Sequence, residues 1–413
     1  MVAVCRSALT TMLLVPLCQV AAEPRPAELR QTAAKLEAGQ PVRVVCLGDS
    51  VTGVYYHSGG RRAYPEMLSL ALQAAYPQTP VTVVNAGISG NTTADGLSRL
   101  QADVLEQRPD LVTVMFGLND ITRVPLDEVR ANLGQIIDRC RAAGAEVLLC
   151  TPNSVLDTPS RPITKLVEYC NLLREVARQR QAPVCDIHAA YEALREREPL
   201  AWRLLLSDEI HPNMDGHKLS AETLCRTLCG HSVALATLRP PQPALPKTQA
   251  LLQAGRPLRV LAMPPYDALI APALRALVPT AQIEVRTWPT AAQTLAEIEA
   301  AAKSVRAAPP DLVLLAVPVA VTPPESAPPE AAIRSHSWIL NNALSFGLQE
   351  WDVVAIAPSV LTPDLTTTER DRDAFACRMV RAQDLNLITR PDLDPAPPEQ
   401  ILQNWLRAEL SGK

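Results

Sequence analysis

Ser50, His211 and Asp208 are residue types that together activate a hydroxyl for attack on a carbonyl carbon. They sit in two short polar segments, Gly48-Asp49-Ser50 and Asp208-Glu209-Ile210-His211-Pro212. A serine hydroxyl is weak at its own pKa and needs a base. His211 offers an imidazole with an ordinary pKa of about 6.5, suited to taking and returning a proton near neutrality. Asp208, three residues earlier, reaches the same side of one turn and can hold the other ring nitrogen, fixing tautomer and orientation. Two more segments supply donors for the charge that develops on an attacked carbonyl oxygen: Asn85-Ala-Gly-Ile-Ser-Gly90-Asn91-Thr92 and Gly117-Leu-Asn119-Asp120. The expected oxyanion donors are the backbone N–H groups of Ser50 and Gly90 and the side-chain amide of Asn119. Glycine at 90 permits a close approach and a backbone conformation that a side chain would oppose. His217 is expected to be structural or at the surface, and His57, His188 and His231 lack a partner pattern for catalysis. A Gly-Asp-Ser triplet alone arises by chance in about one chain in ten of this length; the four segments in this order are far rarer.

The elements that must position these residues alternate. Strands are expected at Val42–Leu47, Val81–Asn85, Leu111–Phe116, Glu146–Cys150 and Pro183–Asp186, separated by helices around Pro65–Ala75, Ala94–Gln107, Leu126–Ala142 and Lys165–Arg180. Continuously apolar strands joined by helices imply a parallel sheet covered on both faces, a three-layer α/β/α domain. Functional groups of such sheets gather at the carboxyl ends of the strands. Ser50 follows the first strand, Gly90 the second and Asn119 the third, with Asp208 and His211 after the fifth.

The 413-residue chain is long enough for two domains. A proline-rich passage, Arg239-Pro-Pro-Gln-Pro-Ala-Leu-Pro246, breaks the pattern as a semi-rigid linker would, and is taken as 238–250. Beyond it, over 251–413, the beginning recurs. Leu36-Glu-Ala-Gly-Gln-Pro-Val-Arg-Val44 meets Leu252-Gln-Ala-Gly-Arg-Pro-Leu-Arg-Val260 with six of nine residues identical at an offset of 216, and Pro109-Asp-Leu-Val112 meets Pro310-Asp-Leu-Val313 at an offset of 201. Strands are expected at Leu258–Ala262, Gln282–Arg286, Leu312–Val317 and Asp352–Ala357. Pro264-Pro265-Tyr266 stands where Gly48-Asp49-Ser50 would be, and Pro318-Val319-Ala320-Val321 where Gly117-Leu118-Asn119-Asp120 would be. The second domain is therefore read as a duplicated, non-catalytic copy.

The four blocks marked by Ser50, Gly90, Asn119 and His211 resemble those of the SGNH hydrolases, the GDSL-type esterases and lipases, over about residues 42–230. The resemblance implies a flavodoxin-like fold, ester hydrolysis through an acyl-serine intermediate and no cofactor. This chain reads Gly-Asp-Ser-Val where the family name has Gly-Asp-Ser-Leu, a mild apolar swap.

Residues 1–22 carry Arg6, an apolar stretch from Ala8 to Val20 and a small-residue exit at Val20-Ala21-Ala22, the three parts of a secretory signal. Cleavage near Ala22, leaving a catalytic domain over 23–237, and export to the periplasm or beyond are expected; no span is expected in the mature chain. With 39 basic against 43 acidic residues, a net charge of −4 gives no footprint for nucleic acid or acidic membranes. Ten cysteines, eight beyond residue 22, end strand runs or lie on helices without a Cys-x-x-Cys pair, so buried thiols and no structural metal are expected.

The segment Thr52-Gly-Val-Tyr-Tyr-His-Ser-Gly-Gly-Arg-Arg62 is missing from the second copy and is expected to overhang the site. Tyr55, Tyr56 and His57 would offer flat faces to a sugar ring, and Arg61 and Arg62 donors to a carboxylate or hydroxyls. The expected substrate is a small-molecule or glycan ester with a short acyl group, such as O-acetyl on carbohydrate. The alternatives are a periplasmic thioesterase or lysophospholipase and, in another class, a non-catalytic glycan-binding protein.

Overall fold

The computed structural model describes residues 26–391 and 394–410; the expected signal segment lies outside them. The first sheet is built from β1 (Val42–Gly48), β2 (Val81–Gly87), β3 (Leu111–Met115), β4 (Glu146–Cys150) and β5 (Val184–Cys185), all parallel, in the order β2-β1-β3-β4-β5. The apolar runs of β1, β3 and β4 are buried on both sides, as helices covering both faces require, whereas edge strand β2 is only partly covered. Helix Leu126–Ala142 has Asp127 and Glu128 in its first turn and Arg139 and Arg141 in its last, complementing its dipole. Helix Thr93–Asp103 starts on a capping box in which Thr92 and Asp95 satisfy each other's backbone N–H.

The second sheet comprises β6 (Leu258–Ala262), β7 (Ile283–Thr287), β8 (Leu312–Leu315), β9 (Asp352–Ile356) and β10 (Asn386–Ile388), and its order β7-β6-β8-β9-β10 repeats that of the first. The register repeats too. Val44 pairs with Leu111 in the first sheet and Val260 with Leu312 in the second, the same positions at offsets of 216 and 201. Asp110 and Asp311 each accept the backbone N–H of the arginine that faces them, Arg43 at 2.7 Å and Arg259 at 3.0 Å. The strand-opening carboxylates Glu146 and Asp352 each cap the helix that precedes their sheet. Glu146 accepts from Gln31 and Thr32 of helix Arg30–Glu37, and Asp352 from Lys247 and Thr248 of helix Pro246–Gln253. That second helix starts inside the stretch read as linker, so the expected boundary at 250 cuts a helix which the sheet itself caps.

One hydrophobic core surrounds the first sheet, and two more cover the faces of the second. Leu204 of the first domain belongs to a second-domain cluster containing Trp351 and Phe375, and Leu200 and Tyr56 pack against that cluster. The buried Arg203 guanidinium holds Glu330 of the second domain through Nε and Nη2 at 2.7–2.9 Å. The eight cysteines among the described residues are buried and free, and no helix there is long and apolar enough to cross a membrane.

Candidate active site

Gly48 ends β1 where no side chain fits: a Cβ would lie 2.0 Å from Thr52 Oγ1 and 2.6 Å from the Met115 carbonyl. The chain then turns sharply. Thr52 and Gly53 N–H both donate to the Asp49 carbonyl, and Val51 N–H donates to the Asp49 carboxylate at 2.9 Å. This turn leaves Ser50 at the sheet edge. Burial pushes the Asp49 carboxyl up to about 6, against the pull of the Val51 N–H and the His211 charge.

The partner segment is a second tight turn. Ser207 N–H donates to the His211 carbonyl at 2.9 Å, and Asp208 Oδ1 accepts the N–H groups of Ile210 and His211 at 2.9 and 2.8 Å. Asn153, after β4, donates to the Ile210 carbonyl, and Asn213 donates to the Leu204 carbonyl while capping helix Met214–Cys229. His211 Nε2 lies 2.9 Å from Ser50 Oγ, and His211 Nδ1 lies 2.8 Å from Asp208 Oδ2. Two segments 161 residues apart thus form one hydrogen-bonded chain. Burial works against charge on both partners, yet they support each other. The Asp208 charge and hydrogen bond, with Asp49 adding to them, hold His211 above its ordinary value, and His211 with the two backbone N–H groups holds Asp208 well below the carboxylate range.

Gly90 takes a left-handed φ of +79° with open space where a Cβ would project. Its carbonyl is tied back by Arg123 Nη2 at 2.6 Å. Among the described residues, the backbone N–H groups of Ser50 and Gly90 donate to no protein group. Asn119 Nδ2 gives one hydrogen to the Asn91 carbonyl at 3.0 Å, and its Oδ1 accepts from Arg161 Nη2 at 3.3 Å. The second amide hydrogen of Asn119 is left for another acceptor. Asp120 accepts from both the N–H and hydroxyl of Thr93, locking the loop after β3 to the helix after β2.

The segment between Ser50 and Tyr64 departs from expectation. It is wedged between the domains, with Tyr56 N–H donating to the Phe346 carbonyl and Gln349 N–H to the Gly60 carbonyl. The Arg61 guanidinium donates to the carbonyls of Pro241 and Pro243, and Arg62 clasps Asp384 and the Arg239 carbonyl. Both arginines are thus occupied by the linker and second domain instead of facing a ligand. His57 is 1% exposed, so it offers no face to a sugar; its ring stacks on His211 at 4.2 Å and 6°. Burial first, then the neighbouring histidine charges, keep His57 neutral. His217 also stacks with His57, at 5.8 Å, and accepts the Tyr64 N–H at Nδ1. Tyr56 donates to Asp208 Oδ2 at 3.1 Å, and Tyr55 accepts the Ser89 N–H at 2.7 Å. These tyrosines hold the site's own groups.

Sequence reasoning missed Arg161, Arg123 and the supporting role of Tyr56. Arg161 lies in the loop after β4, a carboxyl end of the same sheet, where the edge rule could have drawn attention to it.

Comparison with known proteins bears on residues of the first domain. The model of the GDSL-like lipase/acylhydrolase family matches residues 46–219. The chain is 29% identical over 216 residues to an acetylxylan esterase of Geobacillus stearothermophilus, covering 47% of this chain and 96% of that protein. It is 28% identical over 187 residues to thioesterase 1/protease 1/lysophospholipase L1 of Escherichia coli K12, covering 45% of this chain and 82% of that one. Among solved structures, a Geobacillus stearothermophilus acetylxylan esterase is similar at 28% identity with a TM-score of 0.41, over 47% of this chain and 97% of that one. Over residues 46–219 the first domain is thus of the GDSL-like lipase/acylhydrolase (SGNH) type, and the protein is a carboxylic ester hydrolase.

Proposed function

We propose that the protein removes short acyl groups, O-acetyl above all, from carbohydrate by way of an acyl-serine intermediate. The observation that carries the chemistry is the chain Ser50–His211–Asp208 at 2.9 and 2.8 Å, facing the same edge as unused N–H groups of Ser50 and Gly90. Ser50 Oγ attacks the ester carbonyl as His211 Nε2 takes its proton, and the imidazolium is stabilised by Asp208. The oxyanion is met by Ser50 N–H, Gly90 N–H and the second hydrogen of Asn119. Collapse breaks the C–O bond, and the sugar hydroxyl leaves with the proton from His211. Water, deprotonated by the same ring, then attacks the acyl-serine; acetate leaves and Ser50 recovers its proton.

The substrate class rests on the acetylxylan esterase that matches nearly end to end. The thioesterase/lysophospholipase relative supports a second reading with longer acyl groups. We further propose export, on the apolar segment Ala8–Val20 and its small-residue exit; a mature protein from the periplasm or medium should begin near Glu23. The deciding experiment is hydrolysis of p-nitrophenyl esters of increasing chain length and of acetylated xylan, with Ser50→Ala as the blank. Acetyl and butyryl turnover with a fall beyond about four carbons and acetate release from xylan are expected. A rise toward long acyl chains, or faster thioester cleavage, would transfer the function to the second reading; inertness of the wild type on every ester would favour glycan binding without turnover.

A further inference from the structure

The second domain lacks the triad, yet its side chains grip the segment that carries Asp208. Ser207 Oγ donates to Asn341 Oδ1 at 2.7 Å, Asn341 Nδ2 donates to the Ser207 carbonyl at 3.0 Å, and Gln383 Nε2 lies 2.7 Å from both oxygens of that Oγ–Oδ1 pair. All three residues are essentially sealed from solvent, at 1%, 0% and 2% exposure. Gln383 Oε1 is left without a partner among the described residues, but breaking any of these bonds would strand a further buried polar group, which favours this geometry. The Ser207 main chain fixed here also closes the turn onto the His211 carbonyl.

A second grip reaches the other side of the carboxylate. Tyr56, which donates to Asp208 Oδ2, stacks with the Trp338 ring at 6.0 Å and has the Arg306 guanidinium over its ring at 5.0 Å. Arg306 is itself anchored on the carbonyls of Asn341 and Leu344, at the end of helix Glu330–Ala343, which also carries Trp338 and Asn341. One second-domain helix therefore holds Asp208 from the backbone of its neighbour and from a side chain bonded to its oxygen. On the acyl-serine reading, we infer that the second domain is a built-in positioning element of the esterase site: Asn341 and Gln383 acting through Ser207, and Trp338 through Tyr56, hold the Asp208 carboxylate on His211.

The test uses the full chain with Asn341→Ala, Gln383→Leu and Trp338→Leu, each normalised to sites titrated by a serine-reactive fluorophosphonate. Val313→Ala, in the buried core of the second sheet, controls for simple loss of stability. The groups facing His211 are Ser50, Asp208, Asp49, Arg161, His57 and, farther off, His217, with Tyr56 edge-on, and none is altered by these substitutions. Positioning predicts that kcat per titrated site falls about 10- to 100-fold with KM within about two-fold. It also predicts that the acid limb of kcat/KM moves to lower pH, because a loosened Asp208 no longer favours the protonated ring. The control should leave kcat per site and the acid limb where they are. Unchanged kcat and pH limb in all three variants, or an equal fall in Val313→Ala, overturns the inference. A wild type that neither labels at Ser50 nor cleaves esters would instead sink the acyl-serine reading beneath it.

Discussion

The two domains share strand order, register and even the carboxylate that caps the leading helix, but differ at the carboxyl edge of the sheet. There the first presents Ser50, Gly90 and Asn119, while the second presents Pro264, Pro265, Pro318 and Ala320. The framework is thus indifferent to what its edge carries. Chemistry is set by a few loop positions, and a domain without them is free to serve as a wall for its neighbour.

The sharpest way to break this comparison is to exchange roles at equivalent positions. Tyr266 stands where Ser50 stands, at the offset of 216. We predict that Ser50→Ala lowers kcat by about 10⁴-fold or more, while Tyr266→Phe leaves esterase kcat within two-fold. Comparable losses from both would mean that the second edge takes part in the reaction. The next pair is Asn119→Ala, expected to cost about 10²–10³ in kcat as one oxyanion donor is removed, against Ala320→Ser, expected to change nothing. A fall confined to KM at Asn119→Ala would show that the amide serves ground-state binding.

How much of this was legible depends on where each signal resides. The apolar runs of β1, β3 and β4 announce strands because both faces are covered, and Leu126–Ala142 and Glu146–Cys150 fall where periodicity and length put them. The three-residue β10 is too short to stand out from a loop. The constellation of Ser50, Gly90, Asn119, Asp208 and His211 was legible because each follows a strand or precedes the last helix. The segment from Tyr55 to Arg62 was not. Aromatic and arginine side chains read the same whether they face a ligand or another domain, and Arg62 finds Asp384 at a separation of 322 residues. Asn341 and Gln383 were invisible for the same reason, since their partner is Ser207 and nothing local hints at it.

The domains also carry histidines that respond oppositely to acid. His211, held above 6.5 by Asp208, must be neutral to act as base, so activity is lost as pH falls through that raised value. On stability the sign is reversed: the raised value contributes fully below the unfolded pKa and is lost as pH rises through the folded one. His336, lowered by burial to about 4, is the contrary case. Its unfolded form binds a proton that the folded form refuses, so its contribution is present above about 6.5 and falls as pH drops toward 4. We predict that His336→Leu flattens the acid-side loss, by up to about 2 kcal/mol between pH 7 and 5. Urea unfolding at the two pH values measures this, and an unchanged pH difference would mean that His336 is not the titrating group.

The smallest expected effect tests the twinning itself. Glu146 and Asp352 occupy the first position of the fourth strand in their sheets, and each accepts two N–H groups from the first turn of a helix lying before the first strand. First-turn N–H groups have no partner within a helix, and a carboxylate there also meets the positive end of the dipole. The two caps sit in different surroundings, since Asp352 is 1% exposed and burial pushes its carboxyl upward, while Glu146 is half-buried. If they are one inherited device, Glu146→Ala and Asp352→Ala should each destabilise by about 1–2 kcal/mol, with neither touching kcat. The buried Asp352 should be the costlier, because its removal leaves the Thr248 N–H sealed from water without an acceptor. Chemical unfolding followed by fluorescence measures both. A loss at one position and none at the other would show that the shared geometry does not amount to a shared function, and the argument for duplication would then rest on register and the Leu-x-Ala-Gly-x-Pro-x-Arg-Val match alone.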